Sequence, residues 1–150
     1  MAAAYTLRVV EYGSADYHKM VALRNKVLRA PMGRILIARE LERDVQLTQL
    51  GAFDENGNAI ATALLDLSKL PQVRVRQVSV HPDWQGKKLG AAIMTFAEAQ
   101  AAAAGATEIL LHARQTAQPF YARIGYIAEG EYFVESGLPH ICMRKTAIPA

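Results

Sequence analysis

A strand, a turn containing glycine and lysine, a helix and a second strand are predicted in succession between residues 73 and 113, and this order strongly constrains the fold. Four valines mark the first strand, and the break in their alternation between Val75 and Val78 indicates a β-bulge. An alanine-rich segment with an apolar helical face follows. Residues 108–113 are continuously apolar in the middle, which is typical of a strand covered on both faces. The β-α-β order predicts a mixed α/β domain.

The rest of the chain adds a hairpin and shorter elements. Asn56-Gly57 lies between two strand-like segments and is a strong hairpin signal. A helix is predicted to begin at Ser14 or Asp16 and to end at Pro31 and Gly33. Further strands are predicted at residues 5–11, 45–53, 59–67, 73–80, 126–132 and 141–144, and further helices at 39–44 and 116–123. With no linker or repeat, residues 1–150 are expected to form a single domain.

Composition excludes several classes of protein. Of the 150 residues, 51% are hydrophobic, which supports a packed core and argues against disorder. A single cysteine forms no internal disulfide, and the amino terminus has no pattern of a secretory signal, so a cytoplasmic protein is expected. No apolar run approaches the ~20 residues of a membrane span. The net charge of +3 is too small to require nucleic acid as a partner.

Five basic residues and no acidic one occur between Arg24 and Arg39. Such a run usually forms a solvated helix face. The alternative interpretation is a surface that guides an anionic substrate. Both interpretations remain open from the sequence.

The turn after the first strand of the β-α-β unit has the composition of an anion site. The first amides of a helix lack internal acceptors and attract negative charge. Gly86 and Gly90 leave those amides accessible, and Lys87 and Lys88 add positive charge. An ordinary surface turn is the alternative. Neither the nucleotide P-loop pattern nor the dinucleotide GxGxxG pattern is present.

Residues 85–90, Gln-Gly-Lys-Lys-Leu-Gly, resemble the Q/R-x-x-G-x-G/A segment of the GNAT family of N-acetyltransferases, which holds the pyrophosphate of acetyl-coenzyme A. Lys88 replaces the glycine usual at the fourth position. Residues 117–126 resemble the A-x-x-F-Y-x-x-x-G-Y segment that lies beside the thioester in that family. Residues 131–143 resemble the carboxyl-terminal motif of the ElaA/YjcF-like group of small bacterial acetyltransferases.

The resemblance implies a GNAT-like fold, in which helices flank a central, mixed, mostly antiparallel twisted sheet. It implies acetyl-coenzyme A as cosubstrate and an amine acceptor that is a small molecule or a peptide. The charge and the apolar pattern described above predict no nucleic-acid or membrane partner. The resemblance is also compatible with a homodimer. The residues implied to bind the cosubstrate are Val78, Ser79, Val80, Gln85, Gly86, Lys87, Lys88, Leu89, Gly90, Ala91, Thr116 and Phe120. Arg114 stands where Asn or Gln is commoner.

Tyr121 is implied to be the general acid that protonates the departing thiolate, because its position matches the family tyrosine. A phenol with a pKa of ~10 suits that role. Packing in the core is the alternative. His140 is the candidate general base, with a structural histidine as its alternative. Glu40, Glu42 and Glu131 are further candidates for the base.

Three other potentially reactive groups are assigned structural roles. His112 lies in an apolar strand and is expected to be a core histidine. Cys142 has no partner arrangement for nucleophilic catalysis and is expected to be a small buried apolar residue. The four histidines lack the spacing of metal ligands, so no metal site is predicted.

The sequence therefore predicts an acetyltransferase in which the amine attacks the thioester within a ternary complex. The first alternative is a non-catalytic module that binds acyl-coenzyme A on the same fold. The second is a nucleic-acid binding protein that uses the basic run, which would bind with a steep dependence on salt.

Overall fold

The computed structural model describes residues 4–146. The main elements in chain order are β1 Tyr5–Val10, α1 Ala15–Arg24, α2 Ala38–Arg43, β2 Thr48–Asp54, β3 Ala59–Lys69, β4 Gln72–Val80, α3 Leu89–Ala103, β5 Glu108–Arg114, α4 Gln118–Arg123, β6 Ile127–Glu135 and β7 Leu138–Lys145. A π-helical turn, Asn25–Arg29, prolongs α1, and 3-10 turns lie at Ala30–Met32, Asp44–Gln46, Pro82–Trp84 and Gln115–Ala117.

The seven strands form one sheet in the order β1-β2-β3-β4-β5-β7-β6. Only β4 and β5 are parallel, as expected for strands joined by a crossover helix, and the other neighbours are antiparallel. Successive residues of β3 point to opposite faces of the sheet. Leu64 belongs to the buried apolar cluster that includes residues of α1, and Leu65 belongs to the cluster that includes residues of α3. The predicted fold, a mostly antiparallel mixed sheet between helices, is confirmed.

Local sequence signals account for several element ends. Ser14 caps α1, and its side chain accepts a hydrogen bond from the Tyr17 amide. Gly33 ends the following helical turns in the left-handed conformation, with φ of 68°. The hairpin predicted at Asn56-Gly57 joins β2 to β3.

Three predicted strands differ from the structure. The closing pair, β6 and β7, extends well into residues 133–140 because Phe133 pairs with His140 and Val134 with Pro139 around a turn at Ser136-Gly137. Strand β5 is fully buried on one face only. Its other face, with Glu108, Leu110, His112 and Arg114, is half-buried.

The bulge predicted in β4 is confirmed and lies at Gln77. Leu64 of β3 pairs with Arg76, whereas Thr62 pairs with Ser79, so β4 contains one extra residue. Gln77 has a φ of 54°, a left-handed conformation that costs a residue with a Cβ about 1 kcal/mol or more. Beyond Val75, β4 no longer pairs with β5.

A buried ion pair supports the bulge from the α1 side. Arg24 is fully buried and donates to both carboxylate oxygens of Asp44, at 2.6 and 3.3 Å. Its Nε donates to the Gln77 side-chain oxygen at 3.1 Å. Tyr17 donates to the same carboxylate at 2.7 Å, and Thr62 donates to the Gln77 carbonyl oxygen. One cation thus ties α1, the segment after α2 and the bulge together.

Removal of this carboxylate is expected to destabilise the protein strongly. Asp44→Ala leaves the buried Arg24 without its counter-charge, and we expect the free energy of unfolding to fall by about 3–5 kcal/mol in a urea titration. Asp16→Ala is the control, because the Arg8–Asp16 pair is partly exposed and its loss should cost far less. Equal effects of the two substitutions would contradict a structural role for the buried pair.

Candidate active site

A cleft of about 690 Å³ passes through the sheet where β4 and β5 separate. Val75, Leu111 and Tyr121 line it from the side of the α3 core. Arg76 and His112 line it from the opposite face of the sheet. The lining of the cleft therefore includes residues from both faces of the sheet.

The predicted anion turn leads directly into α3. The helix begins after Lys88, which adopts a left-handed conformation with φ of 65° and makes no side-chain cap. The amides of Leu89, Gly90 and Ala91 are therefore available to a ligand. Lys87 and Lys88 are exposed at the same place. The left-handed φ also explains why a glycine is usual where Lys88 stands.

The two glycines of the turn have different roles. Gly86 has a φ of 78° with open space around it, so its conformation alone favours glycine. A Cβ on Gly90 would lie 3.2 Å from the Phe120 ring and 3.7 Å from Val80. The expectation that Gly90 clears space for a phosphate is thus incomplete, because its bare Cα also admits the ring of Phe120 against α3. Thr116 is exposed in the preceding 3-10 turn.

The end of β4 leaves a strand edge free. Val78, Ser79 and Val80 lie beyond the last pair with β5, so their backbone has no strand partner on that side, and Val78 lines the cleft. The Ser79 side chain is buried and directed to the Gln77 carbonyl oxygen. Gln85 donates to the carbonyl oxygen of Val80 and links the turn to the strand.

Tyr121 projects from α4 into the cleft and is only 8% exposed. Its ring packs edge-to-face on Tyr126, with centroids 5.9 Å apart. Burial raises the pKa of Tyr121 to about 12. The hydroxyl therefore keeps its proton throughout the neutral range and is a hydrogen-bond donor there.

His140 lies across the cleft on β7 and is 6% exposed. Its Nδ1 is 2.8 Å from the carbonyl oxygen of Leu138, which can only accept, so Nδ1 carries a hydrogen. In the neutral ring Nε2 is then the basic nitrogen, and it lies 3.8 Å from Glu135 Oε2. The geometry thus combines the structural contact with an available base.

Glu135 connects His140 to two further cleft residues. Its Oε1 is 3.0 Å from Nδ1 of His112 and 3.5 Å from Nη2 of Arg74. The same His112 nitrogen is 2.8 Å from Arg74, and only one of the two histidine contacts operates at a time. Burial acts to raise the pKa of Glu135, but His112, Arg74 and His140 together hold it below its ordinary value.

Several expectations for individual residues change. His112 is a half-buried cleft residue rather than a core histidine, because β5 has one open face. Glu40 lines the cleft but is paired with Arg29, whereas Glu42 and Glu131 are exposed and lie outside the lining. Arg114 donates to the carbonyl oxygen of Leu28 and joins β5 to the π-helical turn.

The expectation that Cys142 is a small buried apolar residue is wrong, because its side chain lies on the half-buried face of β7. The thiol is half-buried beside Glu129, and burial followed by that carboxylate raises the pKa of Cys142. Among residues 4–146, no group of three or more potential ligands is arranged to hold a metal ion. No helix in the same range combines the length and hydrophobicity needed to span a membrane.

Glu135, Arg74 and Arg76 also line the cleft and were not predicted as site residues. Arg74 and Arg76 alternate with buried valines on β4, so a period of two already placed both on one face. Nothing local indicated that this face lines a cleft. The function of Glu135 depends on β5 and β7, which bring His112 and His140 to it, and sequence spacing carries no signal of that.

A twisted mixed sheet that opens beside an uncapped helix start defines an acyltransferase-type fold. Residues 29–147 match the family model described as an acetyltransferase (GNAT) domain, and the chain belongs to the GNAT family.

Two proteins illustrate the sequence similarity. A UPF0039 protein of Schizosaccharomyces pombe is 28% identical over 105 residues, covering 69% of this chain and 70% of that protein. The uncharacterised N-acetyltransferase YjcF of Bacillus subtilis is 32% identical over 73 residues, covering 48% and 52% respectively.

Solved structures confirm the fold over most of the chain. Escherichia coli ElaA superimposes with a TM-score of 0.80 at 20% identity, covering 95% of this chain and 99% of ElaA. An acyl-CoA N-acyltransferase from Pseudomonas aeruginosa has a TM-score of 0.78 at 22% identity, covering 96% and 99%. At these identities the similarity concerns the fold alone, and the expected resemblance to ElaA and YjcF is confirmed.

The left-handed conformation of Lys88 predicts an effect on stability. Lys88→Gly should raise the free energy of unfolding by about 0.5–1 kcal/mol, because glycine adopts this conformation without a Cβ penalty. Lys87→Gly removes the same charge at a residue without a positive φ and should destabilise the protein. Urea unfolding of both variants provides the comparison. A loss of stability in Lys88→Gly similar to that in Lys87→Gly would contradict the assignment.

Proposed function

We propose that the protein transfers an acetyl group from acetyl-coenzyme A to a primary amine by direct attack in a ternary complex. The observation that carries the proposal is the cleft that joins the free edge of β4 to Tyr121 and His140. When bound, acetyl-coenzyme A supplies an activated acetyl thioester. Holding both reactants in one cleft supplies much of the acceleration, so few catalytic groups are needed.

The residues present fit the cosubstrate. The backbone of residues 78–80 has no strand partner on the β5 side and suits the amides of the pantetheine arm, and the uncapped start of α3 suits the pyrophosphate. Lys87 and Lys88 supply the complementary charge. Thr116 and Phe120 lie on the segment that leads into α4, and the contact of Phe120 with Gly90 keeps α4 beside the start of α3.

Tyr121 is proposed to stabilise the leaving sulfur. The hydroxyl is protonated at neutral pH because burial raises the pKa of Tyr121 to about 12. A free thiol has a pKa of ~8.5, so a phenol with this higher pKa acts on a sulfur anion mainly by donating a hydrogen bond. This role refines the expected general acid: the hydroxyl stabilises the negative charge on sulfur through a hydrogen bond and keeps its own proton, and the departing thiolate takes a proton from solvent.

His140 is proposed to accept the surplus proton of the attacking amine. Its Nδ1 hydrogen is committed to the Leu138 carbonyl oxygen, which leaves Nε2 with the lone pair. Glu135, 3.8 Å from Nε2, would compensate the charge that forms on the ring. A base in this position is required because only a neutral amine is nucleophilic.

Calorimetry and turnover of Tyr121→Phe test the function together. The wild-type chain should bind acetyl-coenzyme A and release thiol in the presence of an amine. Tyr121→Phe should bind the cosubstrate with similar affinity but lose about 10²-fold or more in kcat, as loss of a donor to developing charge costs. Tyr132→Phe is the matched control, because Tyr132 is exposed outside the cleft.

Two outcomes would contradict this proposal. Absence of binding at millimolar acetyl-coenzyme A would exclude the function. Binding without thiol release across a panel of amines would favour the non-catalytic acyl-coenzyme A module.

His140→Asn separates catalysis from structure. The asparagine amide can donate to the Leu138 carbonyl oxygen in place of Nδ1, but it has no basic nitrogen. We expect kcat/KM to fall by about 10²-fold, the typical contribution of a general base, with the melting temperature nearly unchanged. His18→Asn, at an exposed position, should behave as wild type. Full activity in His140→Asn would leave His140 with a structural role only.

A further inference from the structure

The cleft carries an excess of positive charge on the sheet face opposite α3. Six arginines line it, and they are called the cleft arginines below: Arg29, Arg34, Arg43, Arg74, Arg76 and Arg114. Only three carboxylates share the lining, namely Glu40, Asp44 and Glu135. Arginine binds carboxylate and phosphate groups through paired N–H donors. The excess therefore has the chemistry of a site for an anion.

The three carboxylates are already engaged. Asp44 is paired with the buried Arg24, which is not a cleft arginine. Glu40 is paired with Arg29, and Glu135 contacts Arg74 together with two histidines. Within residues 4–146, no carboxylate lies within 4 Å of the guanidinium groups of Arg34, Arg43, Arg76 or Arg114.

Crowding of these cations contributes to lowered pKa values of two of them. Burial, followed by Arg74 and Arg43, lowers the pKa of Arg76. Burial, followed by Arg29, lowers the pKa of Arg114. In addition, the buried Nε of Arg74 has no hydrogen-bond partner among the described residues. A bound anion would relieve the repulsion and supply acceptors.

The position of the cleft arginines separates them from the proposed cosubstrate site. Arg74 and Arg76 alternate with Val73 and Val75, which face the α3 core. The two arginines therefore point away from the α3 start, where the pyrophosphate is proposed to bind. Tyr121 and His140 line the same cleft, so a molecule held by the arginines lies beside the reacting groups.

The segment that follows α1 also partly covers the cleft. The segment after α1 meets the turn between β6 and β7, because a Cβ on Gly137 would lie 3.8 Å from Nη2 of Arg34 and 3.7 Å from the Met32 methyl group. The cleft volume of about 690 Å³, which the acceptor would share with the thioester end of the cosubstrate, suits a small molecule.

We propose that the acceptor is a small primary amine that carries a carboxylate or phosphate group, bound by the cleft arginines. This inference rests on the proposed function, since it names the acceptor of that reaction. The anionic group orients the molecule, and the amine at its other end reaches Nε2 of His140. The basic run between Arg24 and Arg39 thus contributes Arg29 and Arg34 to acceptor recognition.

Direct binding tests the inference without requiring turnover. Calorimetry on the full chain, without cosubstrate, would compare O-phosphoethanolamine and β-alanine with ethanolamine and 3-aminopropanol, which lack the anionic group. We expect at least one amine with an anionic group to bind at least 10-fold more tightly than its counterpart without that group. Comparison of the two anionic amines distinguishes phosphate from carboxylate. Equal binding of the amines with and without the anionic group would overturn the inference.

Charge removal provides the second test. Arg76→Gln and Arg43→Gln should each weaken binding of the anionic amine about 10- to 100-fold, the usual value of a charged hydrogen bond, and leave the affinity for acetyl-coenzyme A within twofold. Arg123→Gln, an exposed arginine outside the cleft, is the matched control. Thermal unfolding checks that each variant is folded, and Arg76→Lys, which keeps the charge, should retain part of the affinity.

The outcomes distinguish this inference from the function beneath it. Unchanged binding of the anionic amine in both Arg→Gln variants would overturn the acceptor assignment, even if acetyl-coenzyme A binds and turns over. Failure to bind acetyl-coenzyme A would instead refute the acetyltransferase proposal, whereas arginine-dependent binding of the anionic amine would still support the anion site. In the turnover assay, the same substitutions should raise KM for the anionic amine and leave kcat largely unchanged.

Discussion

The architecture depends on the bulge at Gln77. One extra residue in β4 ends its pairing with β5 after Val75, and the cleft begins at that point. The left-handed conformation of Gln77 is unfavourable in isolation, and the surrounding contacts maintain it. Arg24 bonds its side chain and Thr62 its carbonyl oxygen. The buried pair of Arg24 with Asp44 therefore supports the strand edge that the proposed mechanism uses.

The basic run shows how burial changes the meaning of a charge. As a linear pattern, it indicated either a solvated helix face or a surface that guides an anionic substrate. Arg24 is instead fully buried and structural, and Arg29 is largely covered by its pair with Glu40. Arg34 lines the cleft, while Lys26 and Arg39 are exposed. One uninterrupted run thus serves several purposes, and it does not form the continuous basic surface that the nucleic-acid alternative requires.

The predicted elements follow from local physical chemistry. Ser14 begins a helix because its hydroxyl accepts from a free amide, and Asn56-Gly57 closes a hairpin because both residues tolerate the turn. The bulge was predictable because a strand with one extra residue loses its alternation. The extent of β6 and β7 was not predictable, because the polar residues of these strands show no pattern that can be recognised without the partner strand. The half-buried face of β5 was not predictable either, because its burial depends on elements that are distant in the sequence.

By itself, the sequence determined the element order, the turn before α3, the family resemblance and the place of Tyr121 beside Gly125-Tyr126. Each depends on residues close together in the chain, where capping, periodicity and motif spacing act. The tertiary structure alone decided that Glu135 meets His112 and His140, and that arginines from four separate segments line one cleft. These contacts depend on strand register and on the Gln77 bulge, which bring together side chains up to about a hundred positions apart.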